Sequence, residues 1–320
     1  MATYIARRVL WGIVLIILVS ALTFLFFDIL PSADPAVLRA GRNSSPATIA
    51  HIRQELGLNR PVYTQFFSYM KNIILHFNFG YSFYSGAPVL GLIKDRLPAT
   101  LSLTVGAAVI WLLMGIPVGI ISAIKRGSIL DRVSMGVALV FVSMPVFWLG
   151  LVVLFLFAKD IGRFHVFLGA NTYVGLTSNP ARWFGSLLLP WFVLAATSAA
   201  IYSRVLRGSL IEAMGEDYIR TARAKGLRER RVIWRHGVRS AITPVLTIFG
   251  LDVGALLGGA VITETVFNIP GIGRLNYTAI VQSDFPIVQG TVILAALFIV
   301  IANIIVDISY AYLDPRVRYS

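Results

Sequence analysis

Six long intervals of the chain carry no Asp, Glu, Lys or Arg, or almost none, and each is long enough to form a helix that crosses a lipid bilayer. A hydrocarbon core of about 30 Å takes around 20 helical residues to cross. The first interval runs from Val9 to Phe27, behind Arg7 and Arg8. The others lie between Arg96 and Lys125, between Arg132 and Lys159, between Arg182 and Arg204, from Ser240 to Thr263 with one charge at Asp252, and from about Phe285 to Val306. The pattern thus predicts later spans over 98–124, 133–158, 183–203, 240–263 and 285–306. A signal peptide shares the basic start of the first interval, but its apolar run is about 7–15 residues and ends at a small-residue cleavage site. This run is longer and ends in Asp28-Ile29-Leu30-Pro31, so it is expected to stay as an anchor. Pro117, Pro145, Pro190 and Pro244 fall inside or near the ends of the spans; each removes a backbone donor and favours a kink.

The connections fall into two sets. Residues 31–96 after the first helix (1–30) predict a small ordered cap. There Ser45 suits an N-cap, Pro46 the first helical position and Gly57 a helix stop. A second helix is expected from about Val62 to Leu75, and a third, Val89 to Arg96, is expected to break at Pro98. On the same side, Glu264 to Asp284 contains Phe267-Asn268-Ile269-Pro270-Gly271-Ile272-Gly273-Arg274, turn-rich and apolar, expected at or dipping into the outer interface. Residues 97–313 form the rest of a single membrane domain, with a charged loop at 204–239 and a tail at 314–320.

Composition agrees with the pattern. Charged residues make up 13% of the 320, and mean hydropathy is +0.78, whereas soluble domains carry about 25% charged residues. The chain holds no cysteine, which excludes disulfides, thiolate metal sites and cysteine nucleophiles. Its net charge of +13 suggests nucleic acid only until the charges are placed. Arg7 and Arg8, Lys125, Arg126 and Arg132, ten bases from Arg204 to Arg239, and Arg316 and Arg318 all fall on one side, 17 of the 28. Positive loops mark the cytoplasmic face. The sequence therefore reads as an all-α integral membrane protein with six transmembrane helices, cytoplasmic termini and an extracytoplasmic helical cap. The charge is topological, and no nucleic-acid partner is needed.

The candidate chemistry centres on the charged stretch from Gly215 to Ser240. Asp217 suits the N-cap of a short helix, Tyr218 to Lys225, and Gly226 its stop. Glu216 and Asp217 lie at its positive end and Lys225 at its negative end. Tyr218 and Ala222 share one face, Arg220 and Arg223 another, and Thr221, Ala222 and Ala224 are small enough to admit another backbone. Two readings stand: a basic anchor lying on anionic lipid, or a docking element for a soluble partner. Asp252, mid-span, reads as lining a translocation path or an interface with a second subunit, or as a hydrogen-bonded packing residue. Gly254, Gly258 and Gly259 suit helix packing. Asn303 and Asp307 suit helix packing or an interfacial contact, and Glu264 and Asp284, which bracket the outer loop where they could attract a cationic substrate, read first as solvated loop charges. The four histidines are scattered, and neither His-Glu-x-x-His nor a phosphate-binding G-x-x-x-x-G-K-[ST] loop is present, so no metal or nucleotide cofactor is assigned to this chain.

The stretch Gly215-Glu216-Asp217-Tyr218-Ile219-Arg220-Thr221-Ala222-Arg223-Ala224-Lys225-Gly226-Leu227 resembles the signature of permease subunits of bacterial ATP-binding-cassette importers for dipeptides, oligopeptides and nickel. The resemblance extends through Glu55-Leu56-Gly57-Leu58, Arg96-Leu97-Pro98-Ala99-Thr100, Gly115-Ile116-Pro117-Val118-Gly119, Pro145-Val146-Phe147-Trp148-Leu149-Gly150, Pro270-Gly271-Ile272-Gly273-Arg274 and Asp314-Pro315-Arg316. It implies a multi-pass protein of the bacterial cytoplasmic membrane, non-catalytic itself, that works with a second homologous permease, two ATPase subunits that bind ATP and Mg, and an extracytoplasmic substrate-binding protein. It also implies that Tyr218 to Gly226 is a coupling helix docked on the ATPase. Arg220-Thr221-Ala222 occupies the family's Glu-Ala-Ala slots and Gly226 its Gly slot. With a base at the acidic position, docking by shape and apolar contact is expected rather than an ion pair. Peptide import is the leading expectation. A nickel importer of the same family, or an ion-gradient transporter with Asp252 as its coupling carboxylate, are the alternatives; an intramembrane enzyme lacks any nucleophile, base or metal constellation.

Overall fold

The computed structural model describes residues 2–30, 34–41, 44–55 and 57–313, so the expected C-terminal tail and its Asp314-Pro315-Arg316 motif lie outside the described residues. Helix α1 (Ala2–Phe24) runs on through a π-helical turn, Leu25–Ile29. Three small helices follow, α2 (Pro35–Ala40), α3 (Pro46–Glu55) and α4 (Val62–His76). The Ser45 hydroxyl accepts from the Thr48 amide at 3.2 Å, as an N-cap does, and Gly57 takes a left-handed φ of +67°. Phe24 of α1 packs on Phe66 and Tyr69 of α4, with ring centroids 5.4 and 5.6 Å apart.

Helix α5 (Val89–Ile124) does not break at Pro98; the expected short helix is its first two turns, and both Pro98 and Pro117 lie inside it. A proline removes one donor and crowds one carbonyl, and in a helix packed on its neighbours that is tolerated. Pro145 has the opposite outcome. Helices α6 (Ile129–Ser143) and α7 (Val146–Phe157) meet there at 103°, so the expected third span is two half-helices. Met144 precedes the proline and is pushed to extended backbone, which ends α6. Helix α8 (Pro180–Gly215) is capped by the Asn179 side chain and continues past the expected span end at residue 203.

After α8 come α9 (Asp217–Ala224) and α10 (Glu229–Arg231), then a π-helical stretch Val232–Val238 and α11 (Arg239–Ala241); this run bends 48° into α12 (Thr243–Leu257). The fifth span thus ends at Leu257, not Thr263. Gly259, at φ +122°, turns the chain into α13 (Val261–Val266), followed by α14 (Ile272–Gln282) and α15 (Phe285–Leu313). Four helices are long and apolar enough to cross a membrane by themselves, and six crossings result if each bent pair counts as one.

Close approaches fix how the helices run. Gly115 and Gly119 of α5 lie so near α8 that an added Cβ would come 3.0 Å from the Ala199 carbonyl and 2.8 Å from that of Ser203, so α5 and α8 are parallel. Gly254 and Gly258 of α12 meet Ile299 and Ala295 of α15, which places these two antiparallel through small-residue contacts. Gly250, facing Val306, extends that seam. Helix α1 is antiparallel to α15: Arg8 Nε lies 3.0 Å from the Asp307 carboxylate, and the Gln289 amide donates to Asp28 at the other end. Two ends of the bundle follow. One carries Arg8, Lys125 to Arg132 and the Arg204–Arg239 stretch; the other carries Asp28, the start of α5 and the α13–α14 pair. The core between them is built on Leu103, Trp111, Tyr202 and Leu206.

Candidate functional site

At the basic end, α9 is pinned to its own chain by one face. Ile219 and Ala222 are buried against Val232, with Met214 and Leu227 around them. Arg223 forks onto Glu229 with contacts of 2.7 and 3.1 Å, which ties α9 to α10. Tyr218, Arg220, Thr221, Arg223, Ala224, Lys225 and Gly226 are exposed. The helix starts one residue earlier than expected: Glu216, extended, is the cap position and Asp217 the first helical residue, because the chain must leave α8 at Gly215 before it can turn. Gly226 has φ +73° and closes the helix, a geometry that favours glycine. Ala222, expected on the docking face, points inward; the outward small residues are Thr221 and Ala224.

On α8, about two turns before its end, lies a pair that the sequence alone did not single out. The Arg207 guanidinium of α8 donates to both oxygens of Asp131 at 2.7 and 2.8 Å, and Asp131 is 3% exposed. Asp131 also accepts from the Gly127 amide at 2.9 Å, while its own amide donates to the Ser128 hydroxyl. The start of α6 is therefore clamped to the last third of α8, the helix that leads into α9. Ser128 three residues before Asp131 is a capping-box pattern, the one sequence signal that pointed here.

In mid-bundle, the Tyr202 hydroxyl of α8 donates to Asp252 of α12 at 2.9 Å, and Trp111 packs on both Tyr202 and Phe249. Tyr202 is buried and Asp252 half-buried. The carboxylate is thus satisfied by one neighbour within its chain while part of it stays open.

At the opposite end, two acids expected in solvent are buried. Glu264 is fully enclosed: it accepts from the Thr100 hydroxyl at 2.9 Å and from the Arg274 amide at 2.8 Å. Thr100 in turn accepts from the Ile272 amide at 2.8 Å. The carboxylate sits against the N-terminal turn of α14, where unpaired amides and the helix dipole favour an anion. Desolvation nevertheless outweighs these bonds and raises its pKa. Asp284, 1% exposed, accepts from the amides of Phe83 and Tyr84 at 3.0 and 3.4 Å and from the Ser82 hydroxyl. Neither acid is a solvated loop charge, because each holds a turn whose amides have no other acceptor among the described residues. The Phe267–Arg274 segment is accordingly part of the packing. Phe267, Ile269, Gly271, Ile272 and Gly273 are buried, and Pro270 and Arg274 are half-buried. A Cβ on Gly271 would fall 2.3 Å from the Glu264 carboxyl carbon, and one on Gly273 2.8 Å from the Val261 amide nitrogen.

Comparison with known proteins covers almost the whole chain. Residues 115–319 match the family described as binding-protein-dependent transport system inner membrane component, and residues 1–104 match the N-terminal part of the same kind of membrane component. The dipeptide transport system permease protein DppB of Escherichia coli (strain K12) is 39% identical over 339 residues, covering 100% of this chain and 99% of that protein. A candidate peptide transport system permease of Brucella abortus (strain 2308) is 40% identical over 319 residues, covering both chains fully. Among solved structures, an inward-facing form of the MetNI methionine ABC transporter aligns with a TM-score of 0.51 at 16% identity, over 70% of this chain and 97% of that one. That likeness is one of fold.

Proposed function

Because the chain belongs to the family of binding-protein-dependent transport system inner membrane components, we propose that it is the permease subunit of an ATP-driven peptide importer in the bacterial cytoplasmic membrane. The observation that carries this reading is the end-to-end likeness to a dipeptide permease at 39% identity. In it, the basic end faces the cytoplasm, as the distribution of Lys and Arg favours, and α2–α4 lie outside. ATP and Mg are bound by two separate ATPase subunits. A second homologous permease completes the path, and an extracytoplasmic binding protein delivers cargo.

The mechanism follows from how α9 is mounted. Its inner face is fixed to the basic stretch by Ile219 and Ala222, and the Arg223–Glu229 fork stiffens the turn after it. A push on Tyr218, Thr221, Ala224 or Lys225 is therefore passed on rather than absorbed. It reaches α8, which Arg207, about two turns before the helix ends, clamps to α6. Helices α6 and α8 then move together relative to a partner permease, and the path alternates between its two openings. Arg220 pairs with Asp217 at 3.3 Å within the helix, so docking rests on shape and apolar contact. Asp252, half-buried and held by Tyr202, is the candidate path residue, on a face that a second permease would complete.

The test is reconstitution of this chain in proteoliposomes with its partner permease, ATPases and receptor. Dipeptide uptake is expected to need ATP and the receptor. Uptake by this chain alone under a proton gradient would overturn the reading.

A further inference from the structure

A cavity of about 270 Å³ opens between the end of α1, the α2–α4 segment and the start of α15. No part of the coupling machinery described above reaches it. Its only acidic lining residue among the described residues is Asp28, contributed with Gln289 by the α1–α15 wall. Two guanidiniums, Arg39 and Arg60, come from the α2–α4 wall, and Tyr69 and Phe79 supply aromatic surface. Gln289 gives Asp28 a hydrogen bond but no charge. A half-buried carboxylate beside aromatic rings gains most from a cation that replaces lost water. Arg39 lies 4.0 Å from Glu55, the outer limit of an ion pair, and Arg60 makes no ion pair among the described residues. The cavity thus offers one anion and two cations on separate elements, in a volume near the lower end of small-molecule sites, about 300–1,000 Å³. That excludes a long peptide.

We propose that this cavity binds a small zwitterion, with a primary ammonium on Asp28 and a carboxylate on Arg39 or Arg60: a free amino acid or a dipeptide. The inference rests on the peptide-permease reading for the side it faces and for the choice of probe. It would give the permease a contact with cargo independent of the receptor. An ethanolamine lipid headgroup shares the ammonium-and-anion chemistry, so the test must separate the two sources.

The assembled transporter, in nanodiscs of phosphatidylcholine and phosphatidylglycerol and without receptor, is titrated calorimetrically with L-alanyl-L-alanine. Saturable binding is expected, weakened roughly tenfold or more by Asp28→Asn and by the double variant Arg39→Gln, Arg60→Gln, since one lost charge pair of about 1.4 kcal/mol is tenfold. N-acetylation of the dipeptide is expected to act like Asp28→Asn, and amidation of its carboxylate like the arginine variant. Asp28→Asn keeps an acceptor for Gln289, and the two arginines are exposed, so folding is preserved. Absence of saturation, equal affinity for the N-acetyl dipeptide, or unchanged affinity in Asp28→Asn overturns the proposal. Loss of dipeptide binding when phosphatidylethanolamine is added assigns the site to lipid and overturns it as well. Receptor-driven uptake by the same complex reconstituted in sealed proteoliposomes with receptor and ATP separates the two claims: uptake without binding sinks the cavity site and leaves the importer standing, whereas binding without uptake does the reverse.

Discussion

Glu264 can be buried at the end of a membrane bundle because nearly every donor around it has nowhere else to go. Glu264→Leu would leave the Arg274 amide and the Thr100 hydroxyl without their acceptor, at about 1–3 kcal/mol for each orphaned group. Glu264→Gln keeps an acceptor and is expected to cost far less; thermal unfolding of the purified chain in detergent ranks the two. Gly271→Ala should match the leucine variant, since its Cβ would take the space of the carboxyl. The pH dependence has a definite sign. A carboxyl whose folded pKa is raised contributes stability that is present below its unfolded value and lost as pH rises through the folded one. Wild type should therefore lose ground to Glu264→Gln as pH climbs from 4.5, the ordinary glutamate value. Asp131 and Arg207 make a similar point: single substitutions Asp131→Asn and Arg207→Ala should each lower the unfolding midpoint, and the double variant should lower it by less than their sum.

Helix α9 shows what an element-level reading gains from knowing which face is inward. Ile219 and Ala222 are internal packing, so Ala222→Trp is expected to lower the amount of folded chain in the membrane and says little about docking. Thr221→Trp, on the exposed face, is the sharper probe. It should leave abundance unchanged and uncouple ATP hydrolysis from dipeptide uptake in proteoliposomes; normal coupling would remove α9 from the contact. Gly226→Ala forces a side chain into a left-handed φ of +73° and should cost about 1–2 kcal/mol. The prolines teach the same lesson at this scale. Pro98 sits in a helix whose flanks are packed, and the helix continues; Pro145 sits where two half-helices can each find a partner, and the chain turns by 103°.

In the whole molecule, burial grades the helices by position. The apolar stretch of α8 is 61% buried and that of α1 only 17%, so α8 is the central strut and α1 a peripheral anchor. Leu101, Val105, Val109 and Leu113 form an exposed apolar stripe along α5, facing lipid or, in the proposed assembly, the second permease. Asp252 is decided at this scale. Asp252→Asn preserves the Tyr202 hydrogen bond and removes only the charge. If the residue lines the path, uptake in proteoliposomes should fall while assembly is unchanged; unchanged uptake would make it a packing residue alone.

Hydrophobic runs and basic loops by themselves established that this is a helical membrane protein, which loops share a side, and where the charged stretch with its Gly226 stop lies. Those properties depend on transfer free energy and local backbone preference, both written in neighbouring residues. The burial of Glu264 and Asp284 and the pairs Asp131–Arg207 and Tyr202–Asp252 depended on partners 50 to more than 160 residues away, and even the inward turn of Ala222, whose partners Met214, Leu227 and Val232 are near in sequence, depended on how the chain folds back after Gly226. Polarity marks a residue as needing a partner or water, and only the tertiary arrangement of α5, α8 and α12–α15 decides which it finds.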